Sequence, residues 1–206
     1  TTPQRFVALA DDGDAGAGPA VPAPRCRADP ASALRLVRDL ELGSEPAVAL
    51  MPGAEYGPAK QWPAEHFAAL ATQLGQRGVR SWIIGSAKEQ ALGEAIAQAS
   101  DGAAINLCGR TSLVDVIDLV SVAQAVVCND SGPMHIAAAA GAKVVAIYGS
   151  STPDHTPPMT PTAVIHYLRL SCSPCFERVC PLGHTHCLKE IRPDAVFGSV
   201  RALANL

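Results

Sequence analysis

The stretch Ala125-Val126-Val127-Cys128-Asn129-Asp130-Ser131-Gly132-Pro133-Met134-His135 decides the fold. Its four leading residues form a short apolar run, the signature of a strand buried on both faces. A polar turn follows. Pro133 suits the first turn of a helix, where its missing N–H has no partner to lose. Small residues carry that helix from Gly132 to Ala140, and Lys143 to Tyr148 is a second apolar strand. Wholly apolar strands alternating with helices predict parallel pairing with both sheet faces covered.

The same rhythm extends upstream. Ala47 to Met51, Val79 to Ile84 and Ala104 to Leu107 read as strands. Between them, Ala64 to Arg77 places Phe67, Leu70, Ala71 and Leu74 at helical spacing, and Gly78 stops that helix. Ala87 to Ala99 is a helix with Leu92, Ala95 and Ile96 inward. Ser112 and Asp115 resemble a capping box that opens a further helix. Asp29-Pro30 starts a helix with Leu34, Val37 and Leu40 on one face and Gly43 at its end, and a last helix follows Pro193. The fold class is therefore α/β, a doubly wound parallel Rossmann-like sheet over residues 30–206 with right-handed crossovers. Residues 1–29, rich in Gly, Pro, Ala and Asp, read as a linker or the remnant of a missing N-terminal domain.

Composition narrows the function classes. The chain has 206 residues, 48% hydrophobic and 17% charged, with a net charge of -3. That balance gives no footprint for nucleic acid. The densest apolar stretch, Ile136 to Tyr148, is interrupted by Lys143 and falls short of the roughly 18 residues of a membrane helix. The opening Thr1-Thr2-Pro3-Gln4, without Met, is expected of a piece of a longer protein. An apolar α/β core that needs no disulfides points to a reducing, cytoplasmic compartment.

In such sheets ligands sit beyond the carboxyl ends of the strands, where strand order switches. Three loops there carry candidate residues. In Pro52 to Pro63, Gly53 admits close backbone approach, Lys60 offers a cation to a phosphate, and Trp62-Pro63 pins the following helix. In Gly85 to Glu89, Glu89 suits either a ribose hydroxyl or a helix start, and spacing favours the helix start. In Asn129 to His135, amides at the start of a helix form an anion site around Ser131 and Gly132, to which Pro133 contributes no N–H. Asp130 suits a sugar hydroxyl rather than a phosphate. Its loop also fits a plain Asp or Ser helix cap, and His135 a packed histidine. No G-x-G-x-x-G turn follows the first strand, which argues against a dinucleotide oxidoreductase.

Of seven cysteines, Cys172, Cys175, Cys180 and Cys187 crowd into one stretch with His184 and His186. These are ingredients of a tetrahedral zinc site, although the spacing is not that of paired C-x-x-C knuckles. A loop of free thiols or a disulfide pair is the competing expectation.

Gly53-Ala54-Glu55-Tyr56-Gly57-Pro58-Ala59-Lys60-Gln61-Trp62-Pro63 and Asn129 through Ala139 resemble the donor domain of glycosyltransferase family 9. The tail from Ser171 to Cys187 is similar to that of the subgroup adding the second heptose of the lipopolysaccharide inner core. The resemblance implies a GT-B enzyme of two Rossmann-like domains, of which residues 46–206 match the C-terminal, donor-binding one. It implies ADP-heptose as donor, a lipid A–core acceptor held by the missing domain, inverting transfer and no required cofactor. It further implies work at the cytoplasmic face of the inner membrane, with peripheral membrane contact.

On that resemblance Lys60 and the Ser131-Gly132-Pro133 turn bind the diphosphate, with Gly53 and Tyr56 beside it. Glu89 takes the ribose, Asp130 a heptose hydroxyl, and His135 supports the loop. The catalytic base is expected in the missing domain, and the chain alone is expected to be inactive. Another family 9 heptosyltransferase, a nucleotide-sugar epimerase and a plain nucleotide-binding module remain as alternatives.

Overall fold

The computed structural model describes residues 1–8 and 21–206. Six parallel strands form one sheet: β1 (Ala47–Met51), β2 (Arg80–Ile83), β3 (Ala104–Asn106), β4 (Ala125–Asn129), β5 (Val144–Ile147) and β6 (Ala163–His166). Their order across the sheet is β3-β2-β1-β4-β5-β6. Sequence order reverses between β1 and β4, where Leu50 pairs with Val127 and Met51 with Cys128. This is the switch point at which doubly wound sheets open a crevice.

The side-chain alternation of the central strands divides the core in two. Val48, Leu50, Val127, Val145 and Ile147 face α3 (Ala64–Gly75), α4 (Gln90–Ala99) and α8 (Pro193–Ala204). Ala47, Ala49, Met51, Val126, Cys128, Val144 and Ala146 face α2 (Pro30–Asp39), α5 (Leu113–Val122) and α6 (Gly132–Ala139). Both faces are thus sealed, which is why β1, β4 and β5 carry no polar alternation.

The helix starts follow their capping chemistry. Asp29 accepts the Ala31 amide ahead of Pro30, and Ser112 and Asp115 form the reciprocal box at α5. Several expectations shift. Leu34 is exposed, and α2 ends at Asp39 with Glu41, not Gly43, first to take a left-handed conformation. On α4 Ala95 is exposed and Gly93 is the buried neighbour of Ile96, because a side chain at residue 93 would collide with Asn106. β6 was absent from the sequence reading. It is a half-buried edge strand reached through a Pro- and Thr-rich segment, so it lacks the apolar run that marks the others. Short helices α1 (Thr2–Ala8) and α7 (His186–Lys189) were also unanticipated. The Thr2 amide donates to the His155 carbonyl at 2.8 Å, so part of the expected linker is helical. The linker reading for residues 9–20 lies outside the described residues.

Candidate functional site

The loops leaving β1 and β4 meet above the switch point. Asn129, the last residue of β4, is fully buried and latches them together. Its amide nitrogen donates to the Pro52 carbonyl at 2.7 Å, and its Oδ1 accepts the Trp62 amide at 3.0 Å. Trp62 is itself anchored, its indole N–H donating to the Ile191 carbonyl and its ring set edge-on to Phe67. Between these fixed points, Pro58–Lys60 makes one 3-10 turn that carries Lys60 over the end of β4.

The Lys60 ammonium lies 2.6 Å from Asp130 Oδ2. The pair is largely shielded, with Lys60 at 19% and Asp130 at 4% side-chain exposure. An ammonium has three donors. Among the described residues one is used on Asp130, which leaves two for a ligand. The Tyr56 ring stands 5.2 Å from the ammonium, and the Tyr56 hydroxyl donates to the Phe176 carbonyl.

Ser131 precedes α6 with extended backbone, but its hydroxyl makes no cap. It donates instead to the Asn129 carbonyl at 3.3 Å. The first-turn amides of α6 are therefore not taken by the capping side chain, as an anion site requires. A methyl added at Gly132 would meet no atom of the described residues. His135 lines the same side of the groove. Burial, the leading cause, pushes its imidazole below the ordinary value; Asp130 opposes this and Lys60 adds to it.

The groove has two lobes that share Glu55, Ser131 and Gly132. One, about 270 Å³, is polar and lined by Tyr56, Lys60, Asp130, His135 and Thr156. The other, about 400 Å³, has apolar walls from Met51, Ile84, Leu113, Val116 and Ile136, with Glu89 at its edge. Such a pair suits a molecule with a flat apolar end and an anionic end.

Gly53 and Glu89 meet for a reason the sequence reading missed. The Glu89 Oε1 occupies the space a Gly53 side chain would need, so the close approach that the glycine permits is taken by that carboxylate. Glu89 Oε2 accepts the Ser86 amide at 2.6 Å and the Ser86 hydroxyl at 2.9 Å, the helix-start role that spacing favoured. Its Oε1 has no donor among the described residues. All nine expected site residues thus border one groove or its wall. Ser151 and Thr156, which also contact Asp130, were not anticipated, although a polar run after an apolar strand was the signal used at Asn129.

Cys172, Cys175, Cys180 and Cys187, with His184, surround a separate cavity of about 30 Å³. All seven cysteines are free thiols. Burial, then the neighbouring thiols, pushes Cys187 up to about 11, whereas amides led by that of Thr185 pull Cys180 down. The donor chemistry suits zinc. The separations do not: among the described residues no three His, Cys, Asp or Glu side chains are placed to hold an ion. The cluster's loop docks on the groove, with Arg178 Nε donating to the Tyr56 carbonyl at 2.7 Å.

Residues 4–186 match Glycosyltransferase family 9 (heptosyltransferase). The chain belongs to that family. This family 9 chain is 40% identical over 174 residues to lipooligosaccharide heptosyltransferase 2 of Haemophilus influenzae, covering 79% of the chain and 50% of the relative. It is 35% identical over 210 residues to lipopolysaccharide heptosyltransferase 2 of Salmonella typhimurium, covering 97% and 60%. Among solved structures, that of the Escherichia coli ADP-heptose lipopolysaccharide heptosyltransferase II superposes with a TM-score of 0.81 at 32% identity, over 98% of this chain and 61% of that one. The family 9 chain thus spans half to three-fifths of the length of these relatives. Among its described residues no helix is long and apolar enough to cross a membrane.

Proposed function

We propose that the chain is the ADP-heptose-binding half of a type 2 lipopolysaccharide heptosyltransferase, which adds the second heptose to the inner core by inverting transfer. The observation that carries this is the Lys60–Asp130 pair set beside the open start of α6 at the switch point. Residues 30–206 are the donor domain in this reading, and residues 1–29 join it to an acceptor domain that works at the cytoplasmic face of the inner membrane.

Transfer from a nucleotide sugar develops positive character at the anomeric carbon and negative charge on the departing diphosphate. Preorganised donors in a sheltered cleft stabilise that charge most effectively. Lys60 supplies the two N–H groups that no described residue takes, and the Gly132 amide the helix-start contact. Ser131 and Pro133 shape the turn, Tyr56 flanks the diphosphate, and Gly53 lies with Glu89 in the wall of the apolar lobe. The apolar lobe takes the adenine, with Glu89 Oε1 as the acceptor for ribose. Asp130 Oδ1, which among the described residues receives only Thr156, has a lone pair for a heptose hydroxyl, and His135, kept neutral, lines the sugar end. None of these is assigned as the general base, so the chain alone is expected to bind ADP and transfer nothing. The four clustered thiols would have to close inward to hold a structural zinc ion; metal analysis of protein purified without chelator tests that occupant.

Calorimetry with ADP tests the donor site. Lys60→Ala is expected to weaken binding by about 1 to 3 kcal/mol, the range of charge-assisted hydrogen bonds. An unchanged affinity removes Lys60 from the site and with it the donor reading.

A further inference from the structure

The loop between β5 and β6 lies outside the motifs the sequence assigned to the groove, yet it bonds to Asp130 and to Ala59, the residue before Lys60. The Ser151 hydroxyl donates to Asp130 Oδ2, the oxygen that also receives Lys60. The Thr156 hydroxyl donates to Oδ1 at 3.2 Å. The Ser150 amide donates to the Ala59 carbonyl at 3.1 Å, next to Lys60 in the 3-10 turn. A side chain at Gly149 would strike that same carbonyl, so the loop lies flat against the turn.

The loop is also tied to the core. Tyr148 is fully buried, and its hydroxyl donates to the Thr156 carbonyl at 2.6 Å. Burial, with Asp130 and Cys128 as lesser causes, keeps that phenol protonated.

A buried carboxylate needs donors on both oxygens. If Lys60 were the only one, Asp130 would draw the ammonium fully onto itself and away from the polar lobe. Two neutral hydroxyls satisfy the remaining lone pairs without adding positive charge. The ammonium is then free to serve Asp130 and an anion together. We infer that Ser151 and Thr156 are positioning residues of the donor site, which fix the Asp130 carboxylate and through it aim Lys60 at the diphosphate. The inference rests on the donor-binding reading above.

The test is ADP calorimetry on the 206-residue chain, with thermal melting as a control for folding. Ser151→Ala and Thr156→Val should each weaken ADP binding about tenfold, within the effect of a hydrogen bond to a charged group. Thr156→Ser, which keeps the hydroxyl, should retain the parent affinity. With Lys60→Ala already in place, Ser151→Ala should cost nothing more, because the residue it acts through is gone. Additive losses in that double variant, or equal losses from Thr156→Val and Thr156→Ser, would mean a merely structural role and overturn the inference. Parent affinity in Ser151→Ala and Thr156→Val, with a loss in Lys60→Ala, would overturn it while leaving the donor reading intact. Parent affinity in Lys60→Ala alone would overturn the donor reading itself. Should Ser151→Ala fail to fold, the Thr156 pair decides the question.

Discussion

The Glu89 carboxylate rests against the α-carbon of Gly53, in the volume that any other residue at position 53 would fill. Gly53→Ala should therefore displace the half-exposed Glu89 carboxylate and loosen its bonds to Ser86, at a cost of about 1 kcal/mol, that of a lost helix cap. In a Glu89→Ala background the same substitution should be nearly free. Chemical denaturation of the four variants measures the coupling. Equal costs in both backgrounds would show that the two residues do not compete for space.

Gly132→Ala separates ligand approach from folding. The added methyl meets nothing among the described residues, so the melting temperature should stay close to the parent's. It projects where a diphosphate would approach the start of α6, and ADP binding should fall about tenfold or more, some 1.4 kcal/mol. Full ADP affinity in a well-folded Gly132→Ala protein would move the anion elsewhere.

Asn129 joins two loops with one side chain. Asn129→Ala leaves the Trp62 amide and the Pro52 carbonyl without their partners, and should destabilise the chain by about 2 to 4 kcal/mol. ADP affinity should fall with it, since Lys60 rides on the loop so released. A melting temperature equal to the parent's would show that the latch is dispensable.

Acidification should weaken the fold. Burial lowers His66, His135 and His166 below the ordinary 6.5. Between their depressed native values and 6.5 the unfolded chain binds more protons, so stability is complete above that pH and is lost as pH falls through the native values. Thermal melts from about pH 7.5 to about pH 5.5 should show a falling midpoint. A flat or rising midpoint would mean that these imidazoles protonate freely in the folded protein.

The central strands and most helices were legible because each is encoded locally. Ala47–Met51 is an unbroken apolar run, and Ser112 with Asp115 marks the start of the helix at Leu113. β6 was not legible, since an edge strand covered on one side carries a mixed pattern. Lys60, Asp130 and Gly132 were legible as a loop chemistry with a family resemblance. Their ion pair was not, because it joins residues seventy positions apart. The roles of Ser151 and Thr156 depend on where the β5 loop lies, and nothing in their own neighbourhood sets that.

The reversal of strand order between β1 and β4 has a thermodynamic corollary. The two rims of the crevice arrive from separate crossovers and come into register only when the middle of the sheet has assembled. A nucleotide clasped by Lys60 and Gly132 would reward that whole assembly and not one loop. By mass action, saturating ADP should slow amide hydrogen exchange across the buried β1–β4 ladder as well as at the rim.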